Sequence, residues 1–546
     1  MDSLALLLVF SKACGLAVVL LLLRAIAWLL NMLVLSPAFD PLKKIPGRTG
    51  TFFQSFLDDV LDSPQESSKT HVEWRKLYGN TFKFQGFGRH DFRLMTFDFR
   101  AISHILTSPV YEKPWQTRSI LARLIGRGII SMERHEHKVQ RKALSPAFSS
   151  TSVRELAPIL HSKAEELCDV WEKEISQLGS PDMETKGQAP ALDTSSGISR
   201  AVFDVMGLGG FDFAFDSLKD DSRPDHQPYR QMFRALDQGV DPRDILDLYL
   251  PFLRNFWPSE KTKKMNETKE SEAKDILSLL VKSNLSSTLS DADLLDQCST
   301  FLFAGTDSVA IALTWALHHL STHPQMQARL YDELKASMQT KGPEDYDSDG
   351  SDDSGYAEDP KLRSTQAQRD WTKSLESLPY LDSVVRETLR ITPPIHSTIR
   401  VATMDDEIVL SEPISVDGQL SNSFKIQKGT YIHIPIEGIN FAEDIWGSDA
   451  LEFNPDRWNK LPSIVSNIPG FGNVLTFGYG PHSCLGYRFA VSEIKVFLAH
   501  LVLRFDFAPV EGLKIRKRNT FVTRPYTEIP GGCDKPEFPI RVSKRA

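Results

Sequence analysis

Cysteine is scarce in this chain: five in 546 residues, Cys14, Cys168, Cys298, Cys484 and Cys533, with no Cys-x-x-Cys pair among them. That excludes a disulfide framework, offers no zinc spacing and fits a reducing compartment. Basic charge is short as well. The net charge is −8, and residues 344–359 (EDYDSDGSDDSGYAED) hold eight acids and no base, so the remainder is neutral by the same count. Without a basic field, nucleic acid is not expected as a partner. No internal repeat with a period of about 20 to 50 residues divides the chain, which excludes solenoid architectures. GLGGFD, from Gly207, lacks both the third glycine of a dinucleotide fingerprint and a flanking strand, so it does not read as one. With 41% hydrophobic residues the chain can bury one large core.

What is present begins at the amino terminus. From Leu4 to Leu35 the sequence is almost wholly apolar, interrupted by Lys12, Arg24 and Asn31, and Lys43, Lys44 and Arg48 follow. A bilayer-spanning helix needs about 20 such residues, and an off-centre arginine can snorkel. Ala25 and Ala27 form an A-x-A site that a cleaved signal peptide would use. The apolar run WLLNMLVL continues past that site, which favours an uncleaved anchor over residues 1–36 with residues 37–546 as the body. The basic residues after the anchor put the body on the cytosolic side, where the sequons at Asn266 and Asn284 stay unmodified.

Helical patterns separated by Pro and Gly dominate the body, with strand-like alternation at 80–96 and 399–436. The expected fold class is mainly α with a smaller β region. Residues 340–372, which include the acidic stretch, read as a disordered insert. The most regular element runs from Ser290, with Asp293 completing a cap-like start, to a stop at Pro324. About 30 residues make a rod of roughly 45 Å, apolar on nearly every side. Within it AGTDS, residues 304–308, replaces large apolar groups by small and polar ones. Gly305 costs about 1 kcal/mol relative to Ala in a helix, and a buried Asp307 needs partners. The segment is either a satisfied polar kink or a place where something approaches closely and protons are handled.

Three further segments carry chemistry. LPYLDSVVRETLRITPP places Glu387 and Arg390 three apart on a helix closed by Pro393, where they can pair. FNPDRW offers Arg457 as a second guanidinium for the same carboxylate. FGYGPHSCLG, residues 477–486, sets Cys484 alone in a glycine-punctuated loop before a helical segment. A lone cysteine is ordinarily a small packing residue.

Taken together these segments resemble the cytochrome P-450 family of haem-thiolate monooxygenases, over roughly residues 40–546. Phe477, Gly480, Cys484 and Gly486 match the family's haem loop; ETLR and FNPDRW match a structural triad of Glu387, Arg390 and Arg457; AGTDS matches the oxygen groove; HKVQRKALSPAF, residues 137–148, matches a propionate-binding helix. The resemblance implies the cytochrome P-450 fold behind a transmembrane helix. It implies haem b with Cys484 as axial metal ligand, propionate partners among Arg141, His137, His482 and Arg400, and proton delivery by Asp307 and Ser308. Ser308 stands where the family usually has threonine, and His137 where many members have tryptophan.

The implied partners are a lipophilic small molecule, the endoplasmic reticulum membrane, and an NADPH–cytochrome P-450 reductase, with cytochrome b5 as a second electron donor. The amino-terminal segment of Cys484's helix and nearby N–H groups should favour a thiolate. Aromatic residues between Phe211 and Trp257 suit an apolar substrate, with a terpenoid favoured over fatty-acyl and xenobiotic compounds. A haem-thiolate isomerase or dehydratase that uses no oxygen, and a haem sensor without catalysis, remain alternatives.

Overall fold

The computed structural model describes residues 3–61, 67–178, 189–219, 291–339, 360–519, 522–528 and 537–545. The 344–359 stretch, Ser290, Cys533, both sequons and the aromatic residues Tyr229, Phe233, Tyr249, Phe252, Phe256 and Trp257 lie outside them. Helix predominates, as the sequence led us to expect, and the residues fall into two compact units.

The first unit comprises residues 1–62, 66–112 and 399–435. Its amino-terminal helix, Ser3–Leu30, continues through a π-turn at Asn31–Leu35 to Phe39. The 28 residues from Lys12 to Phe39 form an apolar span with none of its hydrophobic window buried in the protein. The unit also holds a six-stranded sheet in the order 47–48, 81–85, 92–96, 431–434, 398–402, 111–112. Phe82, Phe84, Leu94 and Ile432 are fully buried, so the central strands have core on both faces rather than one. A separate hairpin pairs Asp406–Val416 with Gln419–Ile426. Its Asp417-Gly418 turn has φ of 55° and 82°, the left-handed pair that a two-residue hairpin requires.

The second unit comprises residues 63–65, 113–398 and 436–546. Its axis is the long helix Asp291–Thr322, 32 residues and about 48 Å. Leu302, Leu313, Ala316, Leu317 and Leu320 are fully buried, packed by the helices Thr194–Phe211, Pro379–Ile391 and Tyr487–Arg504. The helix ends at Thr322, and Pro324 opens the next one at the position where a missing N–H costs nothing. A three-stranded sheet (505–509, 539–544, 191–193) and the hairpin Lys514–Asn519/Thr523–Glu528 complete the unit.

One expectation needs correction. Residues 360–372, assigned to the acidic insert, begin a helix, Pro360–Ser377. The run of acids ends at Asp359, with only Asp370 as an acid in 360–372, and Leu375 is fully buried while Trp371 stacks on His161 at 4.7 Å, so packing against the protein takes over where the acidic run ends. The glycines of GLGGFD sit in the last turns of helix Thr194–Phe211, where Gly207 leaves room for Phe215.

Candidate active site

Along the long helix, Phe301, Ala304, Gly305 and Ser308 keep partial exposure, while Leu302, Phe303, Thr306, Asp307, Val309 and Ala310 are buried. The accessible positions recur at i, i+3, i+4 and i+7, so one stripe of an otherwise enclosed helix borders open space. Gly305 has a second reason to be small. A Cβ there would come within 2.4 Å of the Met206 sulfur, so what approaches the helix closely is the neighbouring helix Thr194–Phe211.

The polar residues of this segment are each tied differently. Ser308 Oγ donates to the Ala304 carbonyl at 2.6 Å, back along its own helix. Asp307 faces the other way and accepts from Arg524 Nη2 at 2.7 Å, with both side chains nearly buried. Burial raises the Asp307 carboxyl above its ordinary range, and Arg524 pulls it back down. Thr306 Oγ1 is buried without a hydrogen-bond partner among the described residues.

The 477–486 loop is shaped by its glycines. Gly478 and Gly480 take φ of 68° and 72°, and the Cys484 N–H donates to the Phe477 carbonyl at 2.7 Å, closing the loop on itself. Gly486 is the N-cap residue of the helix Tyr487–Arg504. Cys484 retains accessible surface, yet burial is the leading influence on its thiol, as for a side chain that lines an internal space. The Gly486 N–H and then Arg141 act to stabilise the anion, but burial outweighs them and the thiol is pushed up. The expected help from the helix terminus is present and too small; a bound cation would have to supply the rest.

The loop and the accessible stripe share a neighbour. Phe148 lies within 3.4 Å of where a Cβ on Gly486 would be, and its ring centroid is 5.5 Å from that of Phe301. Arg141, one helix upstream, donates from Nη1 to the Ser483 carbonyl at 2.7 Å and from Nη2 to Ser483 Oγ at 3.2 Å. The His482 and His137 rings lie with centroids 3.9 Å apart, tilted by 30°. Glu133 is the hub beside them: it meets His482 Nε2 at 2.9 Å and Lys113 Nζ at 2.7 Å. These partners hold its carboxyl down at about 2 against the opposing effect of burial. Burial, followed by the His482 charge, lowers His137 to about 3, so His137 is neutral. Arg400 belongs to the first unit, on strand Thr398–Ala402, and donates to the Ile399 carbonyl at 2.9 Å.

The Glu387 cluster is fully formed. Arg390 Nε and Nη2 make a fork on Glu387 at 2.9 and 2.7 Å, Arg457 Nε joins at 3.2 Å, and Trp458 Nε1 donates at 3.0 Å. Arg390 and Glu387 are fully buried. Arg457 also reaches Asp449 at 2.8 and 2.9 Å, while Arg390 donates to the Asn440 and Ala450 carbonyls at 2.6 and 2.7 Å. This network joins four segments and leaves no guanidinium for substrate, so its role is architectural.

Residues 50–349 and 356–529 match the family model described as Cytochrome P450. The chain belongs to the cytochrome P-450 family. Cytochrome P-450 monooxygenase 205 of Postia placenta is 34% identical across 93% of this chain and 94% of its own length. A cytochrome P-450 monooxygenase of Ampulloclitocybe clavipes is 31% identical over 91% and 92%. Ganoderic acid synthetase of Ganoderma lucidum is 29% identical over 86% and 89%. The protein is therefore a P-450 monooxygenase, an oxidoreductase, and its family implies a haem-thiolate cofactor.

The residues of this P-450 fit such a group: an accessible thiol inside the protein, the small residues Ala304, Gly305 and Ser308 on the accessible stripe, and the cations Arg141 and Lys113 beside the thiol's loop. Sequence reading did not single out Arg524, Lys113, Glu133 or Phe148. Phe148 ends the segment 137–148, and for Arg524 and Glu133 partners 217 and 20 residues away leave no local signal.

Proposed function

We propose that this P-450 inserts one oxygen atom from O2 into a lipophilic secondary metabolite, a terpenoid in first place, with electrons from NADPH through a separate reductase. Cys484 would hold the haem iron, Arg141 and His482 would meet propionates, and the bound haem would supply oxygen activation. Thiolate ligation favours O–O cleavage. This chain's own contribution is to exclude water with the buried long helix, to present Ser308 and Asp307 for proton delivery, and to leave the Phe301–Ser308 stripe open to substrate.

The observation that carries the reading is the Ser308 hydroxyl on that accessible stripe, next in sequence to the Asp307 carboxyl that Arg524 holds on the buried side. An isomerase that uses no oxygen has little need for such a pair. The ganoderic acid synthetase among the relatives supports a secondary-metabolite substrate. Of the aromatic run, Phe211 and Phe215 belong to the core. Residues 1–36 would anchor the protein in the endoplasmic reticulum membrane with 37–546 as a cytosolic catalytic domain, a reading supported by the exposed apolar helix. Reductase, NADPH and a panel of terpenes, fatty acids and xenobiotics, followed by product mass analysis, test the proposal. Gain of one oxygen atom on a terpene is expected; an isomeric product formed without NADPH would overturn it.

A further inference from the structure

One helix grips the residues just ahead of Cys484 at two points. Glu133, the N-cap residue of helix Arg134–Leu144, meets His482 Nε2 at 2.9 Å. Arg141, eight residues and about 12 Å of helix further on, holds Ser483 by its carbonyl at 2.7 Å and its hydroxyl at 3.2 Å. Consecutive loop residues are therefore fixed from a second element, by an acid at one point and a cation at the other.

Glu133 forgoes an ordinary role in doing so. An acid at an N-cap position normally accepts from the free N–H groups of its own helix. Glu133 has the extended backbone of such a residue, φ −132° and ψ 168°, yet its side chain caps nothing. The carboxyl is buried, 5% exposed, and turns to partners distant in sequence. Its Oε1 accepts from the Lys113 N–H at 3.1 Å and from the Lys113 ammonium at 2.7 Å, so one residue is held by main chain and side chain together.

That grip matters because a lysine side chain is among the richest in rotamers when free. Lys113 Nζ lies 3.4 Å from His482 Nδ1, which closes a triangle of Glu133, Lys113 and His482. Were the carboxyl only balancing Lys113, Oε1 would suffice. Oε2 on His482 joins that pair to the thiol's loop.

We infer that Glu133 is a positioning residue for the cofactor: it orders Lys113 and His482 into one unit beside the Cys484 loop, so that the carboxylate end of a haem meets groups already fixed in place. Groups ordered in advance lose less freedom when their anion binds, and the bound state gains in lifetime. The inference rests on the reading of Cys484 as the haem ligand.

The test follows transfer of haem from the purified holoenzyme to excess apomyoglobin, with the midpoint potential of the iron as a second readout. The variants are Glu133→Gln, Glu133→Asp, Lys113→Gln and Glu136→Gln. Glu136 is the control: it lies on the same helix, 61% exposed and paired with Arg127 at 3.4 Å, and its change removes the same charge without touching the loop.

Glu133→Gln is expected to release haem about tenfold faster, from the loss of hydrogen bonds between charged partners, and to raise the potential by removing a fixed negative charge. Glu133→Asp keeps the charge with a shorter reach, so it should restore the potential but only part of the retention. A merely structural residue would not separate those two readouts. Lys113→Gln should also speed release, and the double variant by less than the product of the two, because Glu133 acts through Lys113. Where Glu133→Gln yields no folded holoenzyme, Lys113→Gln decides, and release at the wild-type rate overturns the inference. If Glu133→Gln holds haem as the wild type does, or Glu136→Gln loses it as fast, Glu133 has no positioning role and the haem-thiolate reading stands. A wild type that holds no haem overturns both.

Discussion

Arg524 is the perturbation from which most is learned, because it holds the one acid of the 304–308 segment. Arg524→Gln leaves Asp307 either charged without its cation or neutral. Breaking a buried pair by removing one partner costs about 3–5 kcal/mol when the orphan stays charged. Protonation caps that cost: neutralising a carboxyl of ordinary pKa about 3.9 takes about 4 kcal/mol at pH 7 and about 1.5 kcal/mol at pH 5.

The side chains of Asp307 and Arg524 are only 8% and 15% exposed, so solvent screens little of this. Burial already raises the Asp307 pKa, and loss of Arg524 raises it further. A raised folded-state pKa means the folded protein binds more protons than the unfolded one, so the stability of the variant falls as pH rises. Relative to wild type, Arg524→Gln should lose about 3–4 kcal/mol at pH 7 and no more than about 1.5 kcal/mol at pH 5.

Urea unfolding in detergent at pH 5, 6 and 7, followed by tryptophan fluorescence, reads the difference. Asp307→Asn on top of Arg524→Gln should remove the pH dependence, since the coupling lies between those two groups. An equal loss at pH 5 and pH 7, or a loss below about 0.5 kcal/mol at pH 7, which is within the range of an ordinary surface change, would refute the reasoning.

Two other changes follow from the site. Glu387→Gln keeps the shape but strips the charge that Arg390 and Arg457 share, leaving the buried Arg390 guanidinium without its anion while Arg457 keeps Asp449. A loss of about 3–5 kcal/mol is expected, visible as failure to accumulate folded protein in the soluble or detergent-extracted fraction. Ser308→Ala removes the hydroxyl of the accessible stripe without altering the core. Its expected effect is more hydrogen peroxide released per NADPH consumed, measured in a peroxide-coupled assay, with unchanged thermal stability.

The legibility of the chain divides by range. Local chemistry was readable. The strands at 81–85, 92–96 and 398–434 came from alternation, the long helix from its continuous apolar content, and the Glu387–Arg390 pair from i,i+3 spacing. Arg457 came through a motif rather than a distance. Long-range electrostatics was not readable. Nothing in VTRPYTE marks Arg524 as the partner of an aspartate on another element, and nothing around Glu133 announces that it gathers Lys113 and His482.

Burial also decided matters that sequence left balanced. Cys484 precedes a helix, which argues for an anion, yet the surrounding protein raises the thiol regardless. Gly305 was open to a ligand-approach reading, and Met206 explains much of its smallness. The 360–372 segment shows the reverse case: acids up to Asp359 coloured the reading of neighbours that pack into the core.

The central claim is that Cys484 is the axial thiolate of a bound haem. The carbon monoxide difference spectrum of the dithionite-reduced protein tests it most directly, in wild type and in Cys484→Ala. The wild type is expected to give the red-shifted Soret band of a thiolate-ligated haem, and Cys484→Ala to lose it while the far-ultraviolet circular dichroism stays helical. A wild type without that band, or a Cys484→Ala protein that retains it, would contradict the account.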